Sequence, residues 1–304
     1  MKLLDLQRLW RGYFFLADSA LPIAGFRIAY GLLVLGWLFL LQNEFLTWFG
    51  TDGLLSTSSA QALSHNFLFS TLAPALDDTI YSGILIAVAL FAVMLTIGYL
   101  TRLSAAVVYI GLLLFSLRNP AVIPSCYSLL LAGAFYLIFS QADKELSIDR
   151  FRSKSNRRKW NPWAQRLFQL QICIIYIQLL WIHLGSSSWQ DGSIFYYLTQ
   201  LSSLAHHSFQ LPPEKLWLSK FISWSMMLIE FSACTLIWIK EFRYPVILLV
   251  LIMNIFLDYV FNVPVFYWLL AASMLLFVDG KDLRDLLNKL PLLSRKQKVS
   301  SSSS

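Results

Sequence analysis

The sequence predicts an all-α, polytopic membrane protein: a bundle of about eight transmembrane helices with the N- and C-termini cytoplasmic. Three observations carry that expectation. Of 304 residues, 57% are hydrophobic and only 13% charged, and mean hydropathy is +0.61; soluble domains carry roughly 25% charged residues. Apolar stretches of about 20 residues, the length a helix needs to cross a hydrocarbon core about 30 Å thick, recur along the chain. Lys and Arg concentrate in alternate loops between those stretches.

The stretches 21–42, 80–100, 164–184, 221–239 and 244–261 each suffice for one span. The run 103–140 is too long for one, and Arg118-Asn119-Pro120 divides it into a short pair. Asn262-Val263-Pro264 likewise separates a seventh helix from an eighth within 244–278. Proline has no amide hydrogen and pushes the residue before it out of the α region, which is the physical ground for both breaks.

Charge tests this division. With eight spans and a cytoplasmic N-terminus, the inner segments hold 20 of the 24 basic residues, including the cluster from Lys144 to Arg166 and the tail from Lys281 onward. The outer segments hold Arg118, Lys215 and Lys220, and Arg27 lies inside a span. One miscounted helix would invert every later loop, so the bias supports the count and the orientation. The net charge of +7 is then explained by topology and anionic lipid, with no nucleic-acid partner.

Residues 1–280 read as one membrane domain and 281–304 as a basic, Ser-rich cytoplasmic tail. The charged first twenty residues do not read as a cleaved signal peptide. Two long outer loops, 43–79 and 185–220, contain aromatic and aliphatic residues suited to short interfacial helices. Cys126, Cys173 and Cys234 fall within spans and show neither a disulfide nor a metal-ligand pattern. His206-His207 are adjacent, with no carboxylate at ligand spacing, so no metal site is expected.

Ionisable and amide side chains inside a bilayer are costly and mark candidate sites. Arg27 in the first helix and Glu230 in the sixth lie at similar depth and are expected to form a structural ion pair. Asn254 and Asp258 are spaced i,i+4 on the seventh helix. His183 ends the fifth, which also carries Gln171 and Gln178 seven residues apart. Each of these also has a purely structural reading, as an interhelical hydrogen bond or an interfacial histidine.

Several segments resemble one family when taken in order. Gly25-Phe26-Arg27-Ile28-Ala29-Tyr30-Gly31 is followed by Asp52-Gly53-Leu54-Leu55-Ser56, Leu117-Arg118-Asn119-Pro120 and Leu146-Ser147-Ile148-Asp149. Leu170-Gln171-Ile172-Cys173-Ile174-Ile175-Tyr176 then precedes Ser188-Trp189-Gln190-Asp191-Gly192, and Val260–Phe277 runs into Val278-Asp279. Over roughly residues 20–280 the chain resembles the HTTM family, which includes the membrane domain of vitamin K-dependent gamma-carboxylase.

The resemblance implies an outward-facing cavity and a vitamin K-type quinone or hydroquinone, or an exported peptide undergoing maturation. It also implies a bacterial inner membrane as the location. The carboxylase carries a basic lysine before the Trp-x-acid-Gly turn, and His183 stands there in this chain; Asn254 stands where the carboxylase has a functional histidine. The chain is also expected to lack the carboxylase's soluble substrate-binding part, so gamma-carboxylation is not the expected reaction. His183 with Asp258 and Asn254 would be the catalytic set, and Gln171, Tyr176, Gln178, Trp189 and Asp191 would bind substrate. The competing expectation is a non-enzymatic membrane module that binds lipid, a peptide or a partner protein.

Overall fold

The computed structural model describes residues 19–56, 59, 76–119, 124–152, 161–200, 211–261 and 265–289. No β-strand occurs among them. Five helices are long and apolar enough to cross a membrane: α1 (Leu21–Leu41), α3 (Asp78–Ile97), α4 (Thr101–Arg118), α7 (Trp163–Leu184) and α11 (Lys240–Val260). Between and after them lie the short α2 (Phe45–Phe49), α5 (Pro124–Phe139), α6 (Ile148–Arg152), α8 (Ser187–Gln190) and α9 (Ile194–Gln200), then α10 (Leu216–Cys234), α12 (Phe266–Ser273) and α13 (Gly280–Lys289). The chain is an integral membrane protein with apolar helices.

Exposed apolar side chains are the norm on the long helices. Ile80, Ile86, Leu90, Val93 and Ile97 are exposed on α3, and Leu248, Leu249, Ile252 and Ile255 on α11. In water such faces would drive aggregation, whereas lipid solvates them at no cost. The expected break after α4 is present: the helix ends at Arg118, with Asn119 as its cap.

The fold divides into two compact units, 1–166 with 275–304, and 167–274. In the first, the interior is built on α1, α3, α4 and α5. Tyr30 on α1 is fully buried and donates its hydroxyl to the carbonyl of Leu130 on α5 (2.8 Å). Gly133 lets the two helices approach there, since a Cβ would lie 2.6 Å from the Tyr30 ring. Phe45, Phe49 and Phe115 pack ring against ring at centroid distances of 5.2–5.3 Å and anchor α2 on α4.

Two buried arginines hold loops in this unit. Arg27, on α1, is completely buried, and its guanidinium donates to the carbonyls of Ala142 (2.8 Å) and Leu146. Gly98 turns into the left-handed region (φ 73°) to end α3 and leaves room for that guanidinium. Asp149 accepts from the backbone amides of Leu100 (3.0 Å) and Thr101 (2.9 Å), capping the start of α4. Arg118, at the end of α4, donates to the carbonyls of Gly50 and Leu55, and Asn119 donates to that of Trp48 (2.8 Å). A guanidinium with several donors satisfies carbonyls that a membrane interior would otherwise leave unpaired.

The second unit contains α8 to α12 and most of α7. Here the turn after α7 is fixed on α10. Ser219 Oγ donates to the carbonyl of Gly192 (2.7 Å) and accepts from the amide of Tyr196 (2.9 Å). Trp224 Nε1 donates to the carbonyl of Gln190 (3.1 Å). Gly192 has φ 75°, and a Cβ there would lie 2.6 Å from Lys220 Cα, so conformation and close packing both require glycine.

Candidate functional site

Within the second unit, α7, α9, α10, α11 and α12 enclose a cavity of about 270 Å³. Its walls are mainly apolar or aromatic: Leu179, Ile194, Phe195, Leu198, Met226, Met253, Leu257, Phe261, Phe266 and Leu270. A few polar groups break that lining, namely Tyr176 and His183 from α7, Ser223 and Glu230 from α10, Asn254 from α11 and Tyr267 from α12. An apolar pocket with a few convergent polar groups is the usual form of a small-molecule site.

His183 is the centre of these contacts. Its Nδ1 lies 2.8 Å from Glu230 Oε2, and the two side chains are 13% and 3% exposed. When the carboxylate is ionised it can only accept, and a neutral imidazole beside it then carries its proton on Nδ1 and a lone pair on Nε2. The Trp189 indole stacks on the ring, with centroids 3.6 Å apart and planes inclined by 19°. The indole stands there because the 185–193 turn is tied to α10 through Gly192. The imidazole is therefore held by a hydrogen bond at one edge and by an aromatic plane on its face.

Tyr176 and Asn254 supply a second polar spot. Asn254 donates through Nδ2 to the carbonyl of Val250 (2.9 Å), one turn earlier on α11. That bond fixes the amide, and Oδ1 remains buried without a hydrogen bond; the Tyr176 hydroxyl is likewise buried and unsatisfied. The two side chains approach each other but do not reach hydrogen-bond geometry. Ser223 is differently committed, donating to the carbonyl of Ser219 (2.8 Å).

The other sequence candidates lie elsewhere. Asp258 accepts from Trp268 Nε1 (2.9 Å) and does not line the cavity. The carboxylate at His183 is thus Glu230, where the sequence reading had placed Asp258. Glu230 had been paired with Arg27, but Arg27 has its carbonyl partners within its own unit. Gln171 is half-buried, Gln178 is exposed, and neither lines the cavity. Asp191 is exposed in the turn; the Ser193 hydroxyl and backbone amide hydrogen-bond to its carboxylate and hold it below the usual range. Among the described residues no group of His, Cys, Asp and Glu could hold a metal, and His65 and His206-His207 lie outside those residues.

Fold and site together define an all-helical membrane protein with a buried imidazole–carboxylate pair in an apolar chamber. The family model of the HTTM domain matches residues 17–281, and the chain belongs to the HTTM family. No curated protein and no solved structure gives a significant match.

Proposed function

We propose that the cavity is an acid–base site for a lipid-soluble substrate with a quinone-type head group. The observation that carries this reading is the 2.8 Å contact of His183 with Glu230 inside an otherwise apolar chamber. A flat aromatic head group suits walls supplied by Trp189, Phe195, Phe261 and Phe266. His183 Nε2 takes the proton of a substrate hydroxyl, and Glu230 stabilises the imidazolium that results. Exclusion of water strengthens that electrostatic support. Trp189 holds the ring in position for the transfer.

The topology that goes with this reading has eight spans, with α5, α10 and α12 completing the set, in a bacterial inner membrane. Both termini are then cytoplasmic, and the cavity opens towards the outer face. An exported peptide undergoing maturation is a coupled substrate compatible with this geometry. In the competing reading, a non-enzymatic module that binds lipid, a peptide or a partner protein, the same pair serves as structure only.

The test is mass spectrometry of lipids and quinones that co-purify with wild type and with His183→Ala. The reading expects a quinone retained by wild type and lost in the variant. Ordinary phospholipid alone in both preparations would contradict it.

A further inference from the structure

One end of the first unit is built from the start of α1, the end of α3, the start of α4, the 141–152 segment and α13. A Cβ at Gly25, near the start of α1, would lie 3.9 Å from Leu283 of α13. The amide of Asp149 donates to the carbonyl of Gly98 (3.0 Å), and its carboxylate accepts from the amides of Leu100 and Thr101. The short helix α6 is thereby docked, Asp149 inward, on the ends of α3 and α4, both long enough to cross a membrane. It stands at the level of the lipid head groups.

That docking dictates what α6 turns outwards. At about 100° per residue, Phe151 lies about 200° round the helix from Asp149, and Ile148 lies about 60° from Phe151. Phe151 is 89% exposed and Ile148 is exposed beside it, with Arg150 and Arg152 exposed on either side. The Arg152 guanidinium lies 5.2 Å from the centroid of the Tyr99 ring. Arg150 donates to Glu145, which also accepts from Arg284 of α13 (3.2 Å). Two guanidinia on one carboxylate leave positive charge in excess. Charge in the sequence points the same way: from Arg150 to Lys159 there are six basic residues and no acidic one.

We propose that α6 is a binding face for anionic phospholipid, in which Arg150 and Arg152 hold the head-group phosphate while Phe151 and Ile148 enter the acyl boundary. An apolar wedge set between cations is the form that meets such a surface, and guanidinia suit phosphate oxygens. Lipid is favoured over a protein partner because α6 sits on the ends of the spans, where head groups are its neighbours. This face is inferred independently of what the cavity binds.

The test is native mass spectrometry of the detergent-solubilised full chain, equilibrated with equal amounts of phosphatidylglycerol and phosphatidylcholine. Wild type is expected to retain phosphatidylglycerol at least about tenfold over phosphatidylcholine, a preference that falls in high salt. Arg150→Gln and Arg152→Gln should each reduce that preference by about fivefold. Arg150→Gln also loosens the tie to Glu145, so Arg152→Gln keeps the test decisive if the first variant does not fold. Phe151→Ser should weaken retention of both lipids alike. Equal retention of the two lipids by wild type, or a preference unchanged in both arginine variants, would overturn the proposal. A co-purifying protein lost in Phe151→Ser, with no lipid preference in wild type, would overturn it in favour of a protein partner. Displacement of the lipid by inorganic phosphate, but not by chloride at equal ionic strength, would overturn it in favour of free phosphate.

Discussion

His183 Nδ1 and Glu230 Oε2 meet at 2.8 Å across 47 residues of sequence, joining the end of α7 to the C-terminal part of α10. A buried carboxylate that loses its imidazole hydrogen-bond partner keeps its desolvation cost without that compensation, and a hydrogen bond to a charged group is worth about 1.5–3 kcal/mol. His183→Ala is therefore expected to lower stability by about that amount, measured by unfolding in detergent. The double variant His183→Leu with Glu230→Leu should recover much of the loss, because it removes both polar groups together. A double-mutant cycle checks this directly, and additive effects would deny the coupling.

Trp189 stacks on the His183 ring at 3.6 Å, so its loss frees the imidazole to rotate. Aromatic pairs contribute about 0.5–1.5 kcal/mol beyond buried area. Trp189→Ala is expected to weaken menadiol binding by about twofold to tenfold, with Trp189→Phe closer to wild type. Titration of the two variants against wild type measures the difference.

Arg27 serves two carbonyls through separate guanidinium nitrogens, a geometry that a lysine ammonium does not reproduce. Arg27→Lys is expected to cost about 1.5–3 kcal/mol, the worth of one hydrogen bond to a charged group. Thermal unfolding should show the loss, while menadiol affinity of the folded fraction stays unchanged.

Asp258 is engaged with Trp268 outside the cavity lining. Asp258→Asn keeps an oxygen that accepts from the indole, so menadiol binding should be unchanged by calorimetry or fluorescence. A loss comparable to that of His183→Ala would return Asp258 to the site.

The Asp191 carboxylate is held below its ordinary range by the Ser193 hydroxyl and amide. A folded-state value below the unfolded one contributes stability that is fully present above the unfolded value. That contribution disappears as pH falls through the folded value. Wild type should lose a part of its Tm through the acidic range below about pH 4 that Asp191→Asn does not lose, which paired melting curves would reveal.

Much of the helical layout was legible in the sequence, because hydropathy over a span length reports directly on burial in lipid. His183 stands out in the sequence as an ionisable side chain in an apolar helix, whereas Tyr176 and Trp189 enter through the family resemblance; all three line the cavity. The partner of His183 was not legible. Depth along the membrane ranks Glu230 beside Arg27 as readily as beside His183, since depth carries no information on which helices are neighbours. Asp258 was misplaced for a related reason. A residue four positions from Asn254 is rotated far enough around α11 to reach Trp268 and miss the chamber. Arg27 reads as costly inside a span and Arg118 reads as part of an outer turn; the partners of both are backbone carbonyls, which carry no side-chain signature.

The most direct measurement of the central claim is the pH titration of menadiol absorbance, made anaerobically, for menadiol alone, with saturating wild type and with the same concentration of His183→Ala. With wild type, menadiol is expected to lose its proton at a lower pH than menadiol alone, and with the variant it should titrate as menadiol alone. Identical titration curves with wild type and with the variant would contradict a base at His183.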